Sequence, residues 1–134
     1  MQTMISGITV GVILLQTTIF APTIFTTIDK EPAGKLLRAL FPKFFMFLAL
    51  LGAGTLLMSL FSSQSTTWHW VIGATTLLLA LVCLLLIPAT NKATDQGNAS
   101  RFKLLHSLSV LFTLLILIAN IAMPFVGAPS TLAS

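Results

Sequence analysis

The polarity of the chain changes in long blocks rather than from residue to residue. Runs rich in Leu, Ile, Val, Phe and Ala cover about residues 5–28, 44–62, 68–87 and 104–126, and none of these runs contains Asp, Glu, Lys or Arg. Roughly 20 mostly apolar residues in a helix cross the hydrocarbon core of a bilayer, so each run predicts a membrane span. The connections are too short to hold a soluble domain. The expected fold class is therefore an all-α integral membrane protein, a four-transmembrane-helix bundle in one domain spanning residues 1–134.

Two connections carry patterns of their own. In DKEPAGKLLRALFPK (29–43), Pro32 suits the first turn of a helix, where its missing N–H is not needed. Ala33, Leu36, Leu37 and Leu40 then recur at i, i+3, i+4 and i+7. This predicts a short interfacial helix over about 32–40, apolar face toward lipid, closed by Pro42 before the second span. The stretch PATNKATDQGNAS (88–100) is polar and rich in small residues, which predicts a plain loop.

Composition and charge extend the picture. Of 134 residues, 56% are hydrophobic and 7% charged, with a mean hydropathy of +1.01; a soluble domain carries about 25% charged residues. The seven basic residues all fall between the first and second runs (Lys30, Lys35, Arg38, Lys43) or between the third and fourth (Lys92, Arg101, Lys103). Cytoplasmic connections collect Lys and Arg, so the expectation is a multi-pass protein of a plasma (bacterial inner) membrane with both termini outside. The rim formed by Lys35, Arg38, Lys43, Arg101 and Lys103 would then face anionic lipid headgroups. That accounts for the basic balance without nucleic acid, whose binding calls for cations interleaved with aromatics on a soluble surface. A cleaved leader is not expected, because MQTMISG lacks a basic side chain and the run that follows is of spanning length. The one cysteine, Cys83, falls mid-span and reads as packing.

Helices in lipid associate through close packing and hydrogen bonds, so small and polar residues should mark buried faces. Gly7, Gly11, Thr18 and Pro22 fall within roughly 60° on a helical wheel, with Thr9, Gln16 and Thr23 nearly opposite, which predicts two contact faces for the first span. Gly52, Thr55 and Ser59 form one seam on the second, and Gly73, Thr76 and Ala80 another on the third. On the fourth, His106, Ser109, Thr113 and Asn120 lie within about 60° along some 20 Å of helix. A polar stripe of this kind should turn inward, away from lipid. With Gln16 it forms the candidate functional set; Gln16 and Asn120 differ in depth, so the residues alone do not pair them. His106, beside Arg101 and Lys103, reads first as an interfacial imidazole bonded to a neighbouring helix or loop. The sharper alternative is a proton carrier, anion contact or metal ligand. His69, between Trp68 and Trp70, reads as part of an aromatic belt at the outer rim.

The run APTIFTTIDKEPAGKLLRALFPKFF (21–45) and the later RFKLLHSLSVLFTLL resemble the signatures of the transmembrane-protein-205-like family, also labelled a domain of unknown function. Pro22, Phe25, Phe41, Pro42, Arg101, His106 and Ser109 match by position, as do Pro88 and Asn91 at the end of the third span; Thr113 stands where that family is expected to hold an asparagine. The resemblance implies a four-span membrane protein and no defined reaction. A remoter likeness is to four-helix haem or copper proteins of the CopD and HemJ type, but the first span has no histidine. His69 and His106 are expected on opposite sides of a roughly 30 Å core.

No Ser–His–acid set, phosphate loop or metalloprotease motif is present in the sequence. The favoured reading is a small non-catalytic integral membrane protein, an accessory or assembly subunit without a cofactor. Its expected partners are membrane lipids and other membrane subunits or further copies of itself. The alternatives are a permeation component for a small solute and a haem- or copper-binding oxidoreductase-like protein with His106 as a ligand.

Overall fold

A computed structural model describes residues 1–126, and among them the chain is helical almost throughout, without strands. The first apolar run forms α1 (Gln2–Leu15), a π-helical turn (Gln16–Phe20) and α2 (Ala21–Thr27). The others form α3 (Lys30–Phe61), α4 (Thr67–Asp95) and α5 (Ala99–Val126). All four spans are long and apolar enough to cross a membrane. Packing of α1 on α3, α3 on α4, α4 on α5 and α5 back on α1 closes the bundle into a ring. The expected four-helix architecture is what the chain adopts.

The interfacial segment is helical but not separate. Residues 30–61 form one helix of 32 residues, about 48 Å at 1.5 Å per residue, and Pro42 lies inside it. A proline in a helix interior costs about 3 kcal/mol, so something must hold both sides together. Phe41 and Phe45 bracket Pro42 with ring centroids 6.1 Å apart, and Phe44 meets Phe45 edge-on at 5.1 Å. Phe45 is buried in the core, and Phe41 and Phe44 pack against it. Aromatic packing thus overrides the local break.

The expected loop over 88–100 is corrected in the same way. Helix α4 runs through Pro88 to Asp95, and only Gln96, Gly97 and Asn98 separate it from α5. The Asn98 N–H donates to the Ala93 carbonyl at 2.9 Å and the Gly97 N–H to that of Thr94 at 3.0 Å, with Gly97 at φ +64°. This is the paired closure that a left-handed glycine makes possible. Asn98 then starts α5, its Oδ1 accepting the Arg101 N–H at 3.0 Å. Arg38 is hydrogen-bonded to Asp95, so the start of α3 lies beside the end of α4 and the start of α5. All seven basic residues therefore belong to segments gathered at one end of the bundle, here the basic end.

The core is a plug of Ile13, Phe45, Leu48, Ala49, Ala80, Cys83 and Ile116 drawn from all four spans. Closest approach occurs between α3 and α4. A Cβ on Gly52 would stand 2.5 Å from the Leu77 nitrogen, and one on Gly73 would stand 3.0 Å from Leu56 Cδ2. The seams Gly52–Thr55–Ser59 and Gly73–Thr76–Ala80 are buried as expected. Of the two faces expected on the first span, only Thr9 and Gln16 turn inward. Gly7, Gly11, Thr18 and Pro22 are exposed, as is Thr23, and a Cβ on Gly7 or Gly11 would meet nothing within 4 Å among the described residues.

The π turn has a local cause. Pro22 cannot donate a backbone hydrogen bond, and its ring crowds the carbonyl one turn back. The helix widens just before it, the Ala21 N–H reaching the Gln16 carbonyl five residues earlier. Thr17 and Thr18 turn their hydroxyls onto the Ile13 and Leu14 carbonyls at 2.8 and 2.7 Å, which satisfies backbone groups near the irregular turn.

Candidate functional site

The stripe on α5 is only half interior. Asn120 and Thr113 are buried, Ser109 is half-buried and His106 is exposed. Helix α1 packs on α5 and α3, whereas α2, beyond the π turn, packs against α3. The inner face of α5 is therefore covered along α1, and His106 lies beyond that cover. Instead of bonding a neighbouring helix, the His106 ring stacks on Phe102 one turn earlier, with centroids 5.6 Å apart and planes 6° from parallel. The candidate set does not converge on one point.

Asn120 does have a partner. Its Nδ2 donates to Thr76 Oγ1 at 2.8 Å, tying α5 to α4, and to the Ile116 carbonyl at 2.9 Å. Thr113 donates to the Ser109 carbonyl at 2.8 Å and Ser109 to that of Leu105 at 3.2 Å, both within α5. Gln16 makes no hydrogen bond to Asn120 among the described residues. It opens the π turn, and its buried Nε2 has no partner among the described residues.

A second polar set runs inward along the first span from the end opposite the cations. Gln2, Ser6, Thr9 and Gln16 are all more than nine-tenths buried and share one face of α1, within about 80° on a wheel. Gln2 Nε2 donates to Ser59 Oγ and Ser65 Oγ, each at 2.8 Å, and Ser59 Oγ donates to the Thr55 carbonyl at 2.8 Å. This clamps the start of α1 to the end of α3 and to the connection that follows. Only Thr9 and Gln16 of this face were singled out from the sequence. The i, i+4, i+7, i+14 spacing of Gln2, Ser6, Thr9 and Gln16 was the available signal.

His69 departs from the belt expectation. Trp68 and Trp70 are exposed, but His69 is buried. Its Nδ1 accepts the Thr66 N–H at 3.0 Å and lies 2.9 Å from Thr66 Oγ1. The spacing is that of a capping box, with histidine in the place usually held by Glu or Gln. In the neutral ring this leaves the proton on Nε2. Its role here is to start α4.

At the basic end, Glu31 pairs with Lys35 at 2.8 Å on the surface. Asp95 raises the pKa of Arg38 chiefly through their hydrogen bond, so the guanidinium keeps its charge. Among the described residues, no three His, Cys, Asp or Glu side chains gather as a metal-binding group.

These features define an all-α bundle with four helices suited to spanning a membrane, with Gln2, Asn120 and Arg38 joining elements, His69 and Asn98 capping helix starts, and several Ser and Thr hydroxyls, those of Thr17 and Thr113 among them, turned back onto carbonyls of their own span. The family model described as a domain of unknown function, DUF4149, matches residues 4–99, and the chain belongs to that family. The match takes in the π turn, Pro42 and the α3–α4 seam, and ends before RFKLLHSLSVLFTLL. No curated protein and no solved structure matches the chain.

Proposed function

We propose that this chain is a non-catalytic integral membrane subunit that acts by contact, as an accessory or assembly partner in a larger membrane complex. The observation that carries the reading is how the interior polar groups are used. Gln2, Ser59, Asn120 and Thr76 hold helices to one another, while Ile13, Phe45, Leu48 and Ile116 fill the centre. The exposed Gly7–Gly11 face of α1 supports it, since small residues let a further helix approach closely in lipid. In the orientation that the positive-inside rule favours, the basic end with Lys35, Arg38, Lys43, Arg101 and Lys103 is cytoplasmic and both termini are outside. The membrane is then a plasma (bacterial inner) membrane, and the finer family placement is transmembrane-protein-205-like.

The test is to purify a tagged chain from its own membrane in mild detergent. A heteromer of defined composition is expected; a lone monodisperse species would count against the proposal. One observation favours a second reading, permeation of a small solute: the unpartnered Ser6 Oγ and Gln16 Nε2 on the inward face of α1. Solute flux in proteoliposomes that depends on those two side chains would establish it, and flux absent from the wild-type protein would dismiss it.

A further inference from the structure

Ser6 is 1% exposed, and among the described residues its Oγ has no partner. A buried hydroxyl left in that state costs on the order of 1–3 kcal/mol. Its neighbours on the same face of α1 are polar and have capacity to spare. Gln2, one turn before, uses its amide hydrogens on Ser59 and Ser65, which leaves the lone pairs of Oε1. Thr9, one turn after, gives its hydroxyl proton to the Ile5 carbonyl at 3.0 Å, which leaves the lone pairs of Oγ1. Side chains three or four residues apart start about 5–6 Å from each other. That is more than a direct hydrogen bond spans and close to what one bridging molecule covers. Above them is a recess of about 300 Å³ lined by Met1, Gln2, Met58, Phe61 and Ser62, so Gln2 belongs to both recess and cluster. Below them, the fully buried Ile13 begins the apolar plug.

We propose that Gln2, Ser6 and Thr9 form an internal water site, entered from the recess and floored by Ile13. A buried water is held by two to four polar partners, and this cluster supplies three. Water is the ligand of choice because Ser6 is enclosed by this chain alone, which keeps a lipid carbonyl or a partner helix from its hydroxyl. The inference is independent of the assembly role.

Water-edited solid-state NMR of the uniformly labelled protein in bilayers tests it. Magnetisation from water should reach Ser6 and Thr9 Cβ about as fast as it reaches exposed Ser63, while Gly7 and Gly11, on the outward face of α1 at similar depths, lag several-fold. In Ser6→Ala, transfer to Thr9 should fall to the Gly7 level. Ser6 and Thr9 responding as slowly as Gly7 in the wild-type protein would overturn the proposal, and that comparison decides even where the variant folds poorly. Unchanged transfer to Thr9 in a well-folded Ser6→Ala would overturn it equally.

Discussion

Replacing Gly52 by Ala adds one methyl group where α3 and α4 come closest. That methyl would stand 2.5 Å from the Leu77 nitrogen, 2.9 Å from Leu77 Cα and 3.1 Å from the Gly73 carbonyl oxygen. All three are backbone atoms, so no side chain can swing away. Carbon atoms settle at about 3.5–4.0 Å, and the two helices must part by about 1 Å. Overpacking of this kind costs about 1–3 kcal/mol, against a gain of about 1 kcal/mol in helix propensity. Gly7→Ala and Gly11→Ala receive the same propensity gain with no described residue within 4 Å of the new methyl, so they isolate the clash. Gly52→Ala should therefore lie about 1–3 kcal/mol below Gly7→Ala, about 5- to 150-fold in the folded-to-unfolded ratio. Denaturant unfolding in mixed micelles, followed by Trp68 and Trp70 fluorescence, reads the difference. Equal stability of the Gly52 and Gly7 variants would refute the close α3–α4 packing.

Two further predictions follow from the polar contacts and the irregular turn. Asn120→Ala should destabilise the bundle by leaving Thr76 Oγ1 without its interhelical donor; a double-mutant cycle with Thr76→Ala should give a coupling of about 0.6 kcal/mol and no more than about 1.7, and zero coupling would remove the bond from the native state. Pro22→Ala should convert the 16–20 turn toward regular α-helix, giving a protected backbone amide at position 22 and shifted Gln16–Phe20 carbon resonances by NMR, whereas unchanged shifts would mean that Pro22 is not the cause of the π turn.

Much of the architecture was legible in the residues because lipid imposes a simple rule. A segment without charges and about 20 residues long must satisfy its own backbone hydrogen bonds, so the four runs could only be read as helices. The seams around Gly52 and Gly73 were readable for a related reason, since small residues are what allow two helices to meet without a hydrophobic drive. Pro42 and Pro88 misled because a proline signals a local break, and the continuity of α3 past Pro42 involves Phe45, whose burial in a core shared by all four spans is a tertiary feature.

The chain by itself determined how many spans there are, which stretches share the basic end, and which residues are small or polar enough to be buried. Only the tertiary structure decided which of two plausible faces of the first span turns inward, that Asn120 bonds Thr76, that His69 caps α4, and that His106 stays outside the bundle. The physical reason is that helical periodicity places residues on a face but carries no information about what stands opposite. Partners 44 or 57 residues apart, such as Asn120 with Thr76 and Gln2 with Ser59, are chosen by how four whole helices fit together.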